Sequence, residues 1–159
     1  MKKIVLKNGL EIVIEYQSKT PEDYDIVIAF MPLGHRCGYV GVPNSHPLYG
    51  KHYDDVDVEI HGGLTYADYR KDFDETNKLW YFGFDCAHCG DTNDYESLEK
   101  YGMMTESMKQ VKEINERFKN EDDVVRTYEY VFEEVYKLNE QLSDIARKDQ
   151  VKRINGGSK

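Results

Sequence analysis

Residues 1–91 consist of short apolar runs separated by polar and glycine-containing segments, the usual pattern of β-strands joined by turns. Residues 4–6 and 10–14 flank Asn8-Gly9, a dipeptide that accepts the positive φ angles of a tight I′ turn, and they predict a β-hairpin. Residues 25–31 form a nearly continuous apolar run suited to a buried strand, and residues 37–42 form a glycine-spaced second run. These runs predict the first four strands of a sheet.

Two more strands are predicted before residue 91. In residues 56–60, valine and isoleucine alternate with acidic residues, so one face of this strand would be apolar and the other polar. Residues 79–86 are rich in aromatic side chains. Trp80 and every second residue after it would point inward, whereas Tyr81 and Asp85 would lie on the other face. The total of about six strands predicts a mostly antiparallel sheet.

The pattern becomes helical after residue 91. Asn93 or Asp94 can cap a short helix that Gly102 interrupts, and Thr105 can cap a second helix reaching about residue 119. In a third helix, apolar residues recur at alternating spacings of four and three, with acidic residues 121–123 in the first turn. The recurring residues are Val124, Tyr128, Val131, Val135, Leu138, Leu142 and Ile145. This stripe either packs on the sheet or forms a self-association seam.

Strands followed by helices predict the α+β class, with a six-stranded, mostly antiparallel sheet followed by two or three carboxy-terminal helices. We expect a single domain over residues 1–153, strand-rich up to residue 91 and helical from residue 92. Residues 154–159 would form a flexible tail because they contain two glycines and no apolar stripe.

Charge narrows the classes of partner. The chain of 159 residues has 21 Lys and Arg against 30 Asp and Glu, for a net charge of −9, and −6 of this falls in residues 1–91. Such a surface repels phosphate backbones and anionic lipids, so we expect neither a nucleic acid nor a membrane as partner. Three cysteines without an apparent leader or membrane-spanning run predict a cytoplasmic protein with free thiols.

Residues 34–91 contain the residues best suited to a binding site. All five histidines, all three cysteines and eight of the twelve glycines fall in this window. Glycine allows a backbone to approach a ligand, while His, Asp, Tyr and Trp supply polar contacts and stacking faces. Within the window, residues 38–55 predict a long loop-rich stretch, which would be either a binding loop or an ordered surface loop.

The predicted ligand contacts fall into three chemical groups. Arg36 and Lys51 would bind an anionic group, because a guanidinium or ammonium pairs with carboxylate or phosphate. Aromatic rings at Tyr39 and Trp80 would offer flat faces to a purine or pyridine ring. The remaining contacts to polar groups and ribose-like hydroxyls would be His46, Tyr49, His52, Asp54, Asp57, His61, Asp85 and His88.

Metal and nucleophile chemistry have weaker signals in the sequence. The window is rich in imidazole and carboxylate ligands, but it has no His-Glu-x-x-His and no second Cys-x-x-Cys to pair with Cys86 and Cys89. His61-Gly62-Gly63 resembles an esterase oxyanion loop, yet the chain has no Gly-x-Ser-x-Gly elbow. We therefore predict no cofactor and no defined metal ligands, and leave a divalent ion open.

Several motifs together resemble a family of small bacteriophage and prophage proteins. They are residues 38–43 (GYVGVP), 46–51 (HPLYGK), 53–58 (YDDVDV), 61–66 (HGGLTY) and 82–91 (FGFDCAHCGD, with Trp80 before it). The resemblance implies a setting and no specific activity. Small phage accessory proteins are often host-takeover or counter-defence factors that act in the cytoplasm of the host bacterial cell.

Three functional hypotheses follow. The first is a homo-oligomeric phage accessory protein that binds and sequesters a nucleotide-derived immune signal without turnover, which agrees with the missing nucleophile motif. The second is a metal-dependent hydrolase of a nucleotide-like substrate, in which the same His and Asp residues bind an ion. The third is a protein-interaction factor that acts through the carboxy-terminal heptad stripe.

Overall fold

A computed structural model describes residues 1–156 and has an α+β fold. Six strands form one antiparallel sheet in the order β1-β2-β3-β4-β6-β5. They are β1 (Lys2–Val5), β2 (Glu11–Lys19), β3 (Asp25–Phe30), β4 (Arg36–Val42), β5 (Tyr66–Tyr69) and β6 (Trp80–Asp85). The rest of the regular structure is a short 3-10 helix (Tyr53–Asp55), β7 (Asp91–Thr92), α1 (Tyr95–Lys100), α2 (Glu106–Arg117), β8 (Val124–Val125) and α3 (Tyr128–Gly156). The predicted fold class is confirmed.

The amino-terminal hairpin forms, but its turn differs from the predicted one. The Leu6 amide donates to the Leu10 carbonyl at 2.7 Å, and the Gly9 amide donates to the Leu6 carbonyl at 2.9 Å. Gly9 has a φ of +81°, whereas Asn8 is not among the residues with positive φ. A I′ turn needs positive φ at both positions, so the chain closes with the three-residue loop 7–9 and glycine at its left-handed position.

Helix α3 packs across one face of the sheet. Its side of this core consists of Val131, Val135, Leu138 and Leu142, all fully buried, and the sheet contributes Ile26, Ile28, Val40, Val42, Phe82 and Phe84. A Cβ atom at Gly38 would lie 2.5 Å from the Phe84 ring and 3.3 Å from Val135, so glycine allows β4 to lie this close to both. The sequence left two interpretations of the heptad stripe open, and in the structure the stripe packs on the sheet.

The opposite face of the sheet is also buried. Residues 70–79 cover it with Phe73 and Leu79, which pack against Ile12, Ile14, Val27, Ala29, Cys37, Tyr39 and Tyr81. Tyr81 is fully buried there, and its hydroxyl donates to Asp25 at 2.6 Å. The predicted alternation along β6 is confirmed for Phe82 and Phe84, which face α3, while Trp80 is only partly buried at the start of the strand.

The predicted strand at residues 56–60 is wrong. The segment has no strand partner, and its apolar residues pack instead against the core beneath α3. The Gln141 side chain replaces a neighbouring strand, because it accepts from the Glu59 amide at 2.7 Å and donates to the Glu59 carbonyl at 2.9 Å. The sixth strand is β5, which pairs with β6 at the edge of the sheet.

The helix starts follow the predicted caps except at α3. Asp94 caps α1 by accepting from the Ser97 amide at 3.0 Å, and Thr105 caps α2 by accepting from the Met108 amide at 3.1 Å. Residues 121–123 were predicted to open the last helix, but they precede β8, which pairs in parallel with β7. Thr127 then accepts from the Tyr130 amide at 3.2 Å, as an N-cap does.

Helix α3 reaches further than the sequence pattern indicates. It continues to Gly156, so residues 154–156 of the predicted tail are helical, and residues 157–159 lie outside the described residues. Within residues 1–156, none of the helices combines the length and the apolar character that crossing a membrane requires.

Candidate functional site

The predicted ligand contacts separate into three groups, and the structure brings only the third together. Arg36, Tyr39 and His46 are buried at different points of the sheet and beneath α3. A second group lies on or near the surface along the loop of residues 48–57 and the start of β6. It consists of Tyr49, Lys51, His52, Asp54, Asp57 and Trp80. The third group comprises His61, Asp85 and His88, which lie together beside β7.

Arg36 is the centre of a buried ion-pair network. Two of its N–H groups donate to Glu15, at 2.7 and 3.1 Å, and a third donates to Asp94 at 2.9 Å. The other two donate to the Ser97 hydroxyl and the Arg126 carbonyl, both at 3.2 Å. A guanidinium has five N–H donors, so Arg36 has none left for a ligand in this arrangement.

His46 and Tyr39 are likewise occupied by protein groups. The Leu48 amide donates to Nδ1 of His46 at 3.0 Å, so Nε2 carries the hydrogen and donates to the Leu142 carbonyl at 2.9 Å. Burial lowers the pKa of His46, which agrees with a neutral ring. The Tyr39 ring is buried on the face opposite α3, 5.1 Å from the Arg70 guanidinium. Both residues hold the fold together.

The aromatic residues near the loop of residues 48–57 fasten that loop to the sheet. The Trp80 indole donates to the Lys51 carbonyl at 3.0 Å, and the Tyr49 hydroxyl donates to the Lys78 carbonyl at 2.9 Å. Tyr69 meets Trp80 edge-on, with an interplanar angle of 89°. Lys51, His52, Asp54 and Asp57 are exposed.

A second network of hydrogen-bonded polar side chains is centred on His61. His61 Nε2 lies 2.8 Å from Asp91 Oδ2, and His61 Nδ1 lies 2.8 Å from the Tyr130 hydroxyl. Asp91 also accepts from Arg126 Nε at 2.7 Å and from the His88 amide at 3.0 Å. We call this group the His61 site: His61, Asp85, His88, Asp91, Arg126 and Tyr130.

The protonation pattern of this site follows from its contacts. Burial alone would raise the pKa of Asp91, but hydrogen bonds from Arg126, His61 and the His88 amide outweigh it and hold that pKa below the ordinary value. With Asp91 charged, His61 donates to it through Nε2, and Nδ1 shares a hydrogen bond with the Tyr130 hydroxyl. The result is a hydrogen-bonded chain from carboxylate through imidazole to phenol.

Two glycines bring the histidines together. Gly62 and Gly63 have φ angles of +66° and +79°, which a side chain would strain. A Cβ atom at Gly62 would also overlap the His88 ring. The His61 and His88 ring centroids are consequently 5.9 Å apart, and the His61 amide is held to α3 by Glu134 at 3.2 Å.

Part of the His61 site has no hydrogen-bond partner among residues 1–156. His88 Nε2 is buried without a hydrogen bond there, and Asp85 Oδ1 lies 3.3 Å from it. Asp85 itself accepts from the Thr65 hydroxyl at 2.9 Å. Within residues 1–156, only Nε of the Arg126 guanidinium makes a hydrogen bond, and the group stacks 4.8 Å from the centroid of the Tyr130 ring. These groups are chemically able to contact a polar or anionic molecule.

The three thiols are free, as predicted. Burial raises the pKa of Cys86 to about 12, so this thiol is protonated at neutral pH. Among residues 1–156, no three His, Cys, Asp or Glu side chains are arranged to hold a metal ion.

Three members of the site were not among the predicted contacts. Asp91 belongs to the 82–91 motif, and its Gly90-Asp91 ending was the available signal. Arg126 and Tyr130 lie outside the 34–91 window and reach the site through the β7–β8 pair and the first turn of α3. Comparison of the chain with protein-family models, curated proteins and solved structures found no match.

Proposed function

We propose that the protein binds a small, polar, nucleotide-like ligand at the His61 site and retains it without turnover. The observation that carries this proposal is the buried Nε2 of His88, which has no hydrogen-bond partner within residues 1–156. Leaving a buried polar atom unpaired costs about 1–3 kcal/mol, and a ligand hydroxyl or phosphate at this position would recover that free energy. Arg126 adds a positive charge beside it, because its Nε and the His88 amide both donate to Asp91.

Each group of the site suits one part of such a ligand. The terminal nitrogens of Arg126 would bind a phosphate, since a guanidinium offers two parallel N–H donors. His88 and Asp85 would hold ribose-like hydroxyls. A cavity beside α1 suits an anion less well: its volume is about 440 Å³, and Glu15, Asp94, Glu96 and Glu129 are among its lining residues.

The resemblance to phage and prophage proteins supports a biological setting for this binding. We propose that the ligand is a nucleotide-derived immune signal and that the protein sequesters it in the cytoplasm of the host bacterial cell. Sequestration needs affinity without chemistry, and the sequence has no nucleophile-elbow motif.

Hydrolysis of a nucleotide-like substrate is a second candidate, favoured by one specific observation. The Asp91–His61–Tyr130 chain has the same order of carboxylate, imidazole and hydroxyl that activates nucleophiles in many hydrolases. In this function, His61 would accept a proton from the Tyr130 hydroxyl or from a water molecule in its place, and Asp91 would stabilise the imidazolium.

One experiment tests both candidates. The protein is titrated calorimetrically with a panel of cyclic and ADP-ribose-type nucleotides, then denatured, and the released compound is identified by mass spectrometry. We expect one member of the panel to bind and to be released intact, and a cleaved product would establish the hydrolase instead. Failure of the whole panel to bind would contradict the proposal.

Matched variants locate the binding. His88→Ala and Arg126→Gln should each weaken binding roughly tenfold to a hundredfold, the effect of losing a hydrogen bond to a charged group. His52→Ala removes an exposed histidine, and Lys51→Ala removes an exposed side chain with the same charge as Arg126. Both variants should leave affinity unchanged. Equal loss in all four variants would move the ligand away from the His61 site.

A further inference from the structure

The carboxy-terminal half of α3 is covered by the rest of the chain on one side only. Ala146 and Asp149 border a cavity with Tyr24 and His46 on that side, whereas the opposite side is exposed. The last fully buried residue of α3 is Leu142, and the 14 residues from 143 to Gly156 that follow span about 21 Å at the helical rise of 1.5 Å. Val151 and Ile154 are 54% and 68% exposed. A partner that covers Val151 and Ile154 would bury apolar surface that a single copy leaves exposed.

The outward side of this half has a regular pattern. Residues three and four positions apart form one stripe on a helix. The stripe, which we call the outer stripe, consists of Lys137, Glu140, Asp144, Arg147, Val151 and Ile154. It lies on the side of α3 opposite the buried Val131, Val135, Leu138 and Leu142, because the two sets are offset by about half a helical turn.

Charge is segregated between residues 140 and 148 of the outer stripe and its margin. Glu140 and Asp144 are acidic, whereas Arg147, with Lys148 next to it, is basic. Within α3, the Arg147 guanidinium already pairs with Asp144, which shows that these groups attract each other in this setting. Lys148 has no ion-pair partner among residues 1–156.

We propose that a second copy of the chain packs antiparallel on the outer stripe, around a two-fold axis near residue 145. This arrangement places the acidic Glu140 and Asp144 of each copy opposite the basic Arg147 and Lys148 of the other. A parallel arrangement would place like charges together. Because the whole chain carries −9, two copies repel each other at long range, and local complementarity determines the orientation in which they meet.

Charge reversal with rescue tests the proposal by sedimentation velocity over a concentration series. The wild type should show a monomer–dimer equilibrium that weakens as salt is raised, because exposed ion pairs are screened. The double variants Glu140→Lys/Asp144→Lys and Arg147→Glu/Lys148→Glu should each dimerise at least tenfold more weakly. An equimolar mixture of the two should recover association, because opposite charges then face each other.

The controls separate this interface from general charge effects. Glu113→Lys/Glu116→Lys changes the net charge as Glu140→Lys/Asp144→Lys does, but on the exposed face of α2, and should leave dimerisation unchanged. Circular dichroism checks that each variant keeps its helix content. A wild type that stays monomeric up to its solubility limit, or a mixture that fails to recover association, would overturn the proposal.

Discussion

His61 Nε2 lies 2.8 Å from Asp91 Oδ2, and this bond joins the loop after residue 60 to β7. The same carboxylate holds Arg126 at 2.7 Å, so one buried side chain connects three segments that are distant in sequence. The Asp91 side chain is only 1% exposed. Its charge therefore organises the His61 site and also contributes to the stability of the fold.

Asp91→Asn tests the structural part of this role. An amide has one acceptor oxygen, so the substitution leaves either Arg126 or His61 without its partner, and we expect a loss of about 1–3 kcal/mol of unfolding free energy. Urea denaturation followed by tryptophan fluorescence measures this. Asp57→Asn is the exposed control and should change stability little. An unchanged midpoint for Asp91→Asn would mean that the three segments are held by other contacts.

The contribution of Asp91 should also disappear in acid. Its pKa is lowered in the folded protein, so the folded state binds the proton less readily than the unfolded state, whose Asp pKa is about 3.9. The stability it adds is complete above that unfolded value and is lost as pH falls through the folded pKa. The difference between wild type and Asp91→Asn in urea melts should therefore be constant near neutrality and shrink below about pH 4. A constant difference down to pH 2 would contradict this mechanism.

Asp25 should behave in the opposite way. Burial raises its pKa despite hydrogen bonds from Tyr81 and Gln17, so the folded state holds the Asp25 proton more tightly than the unfolded state. Wild type should then lose stability relative to Asp25→Asn as pH rises from the ordinary Asp value through the raised pKa. The same urea melts across pH measure this difference. Parallel pH profiles for the Asp25→Asn and Asp91→Asn variants would show that burial does not dominate at Asp25.

The glycine pair after His61 provides a matched comparison. Gly62→Ala combines positive-φ strain with an overlap on the His88 ring, whereas Gly63→Ala has the strain with nothing within 4 Å of its Cβ. Strain alone costs about 1–2 kcal/mol, so both variants should be less stable than wild type and Gly62→Ala should be clearly the worse. Thermal unfolding measures this order. Equal losses would show that His88 moves aside freely.

Much of the sheet could be predicted because its signals are local. Residues 25–31 and 37–42 are short, nearly continuous apolar runs, a pattern typical of buried strands, and both contain strands. The alternation in residues 56–60 was misleading. An extended segment buries every second side chain whenever one of its sides faces an apolar surface, whether or not a neighbouring strand is present. Here α3 supplies that surface, with Gln141 making the backbone contacts of a missing strand.

The site could be predicted only where its residues are close in sequence. His61, Asp85 and His88 fall in one window whose composition indicates binding, and they do lie together. Arg126 is 35 residues from its partner Asp91 in the sequence, and Tyr130 is 69 residues from its partner His61. Nothing in the local sequence shows that the two-residue β7–β8 pair brings these distant segments together.

Helix α3 should tolerate truncation of a side chain on one side only. Leu138 is fully buried against the sheet, so Leu138→Ala should cost about 2–5 kcal/mol through lost burial and the cavity it leaves. Ile154 is 68% exposed, and Ile154→Ala should change the stability of the monomer by less than about 0.5 kcal/mol. Urea melts at low protein concentration measure both. Similar losses in the two variants would mean that the end of α3 is packed in the monomer.

Arg36 distinguishes a structural cation from a ligand contact. Its partner Glu15 has a side chain only 3% exposed, and removing the guanidinium leaves that carboxylate buried without its counterion. Arg36→Met should therefore destabilise the fold by about 3–5 kcal/mol. The double variant Arg36→Met/Glu15→Gln should lose less than the sum of the two single changes, because no buried charge is left uncompensated on this side of the network.

Affinity for a nucleotide separates the two roles of Arg36. Lys100→Met removes an exposed cation from the cavity beside α1, which Arg36 also lines, and should leave both stability and affinity unchanged. If Arg36 is structural, then folded Arg36→Lys protein, assayed below its melting temperature, should bind a nucleotide from the panel as tightly as wild type. Lysine keeps the charge but lacks the planar fork that reaches five acceptors, so its effect should fall on stability. Normal stability with lost affinity would instead return Arg36 to the role that the sequence predicted, a direct contact to an anionic ligand.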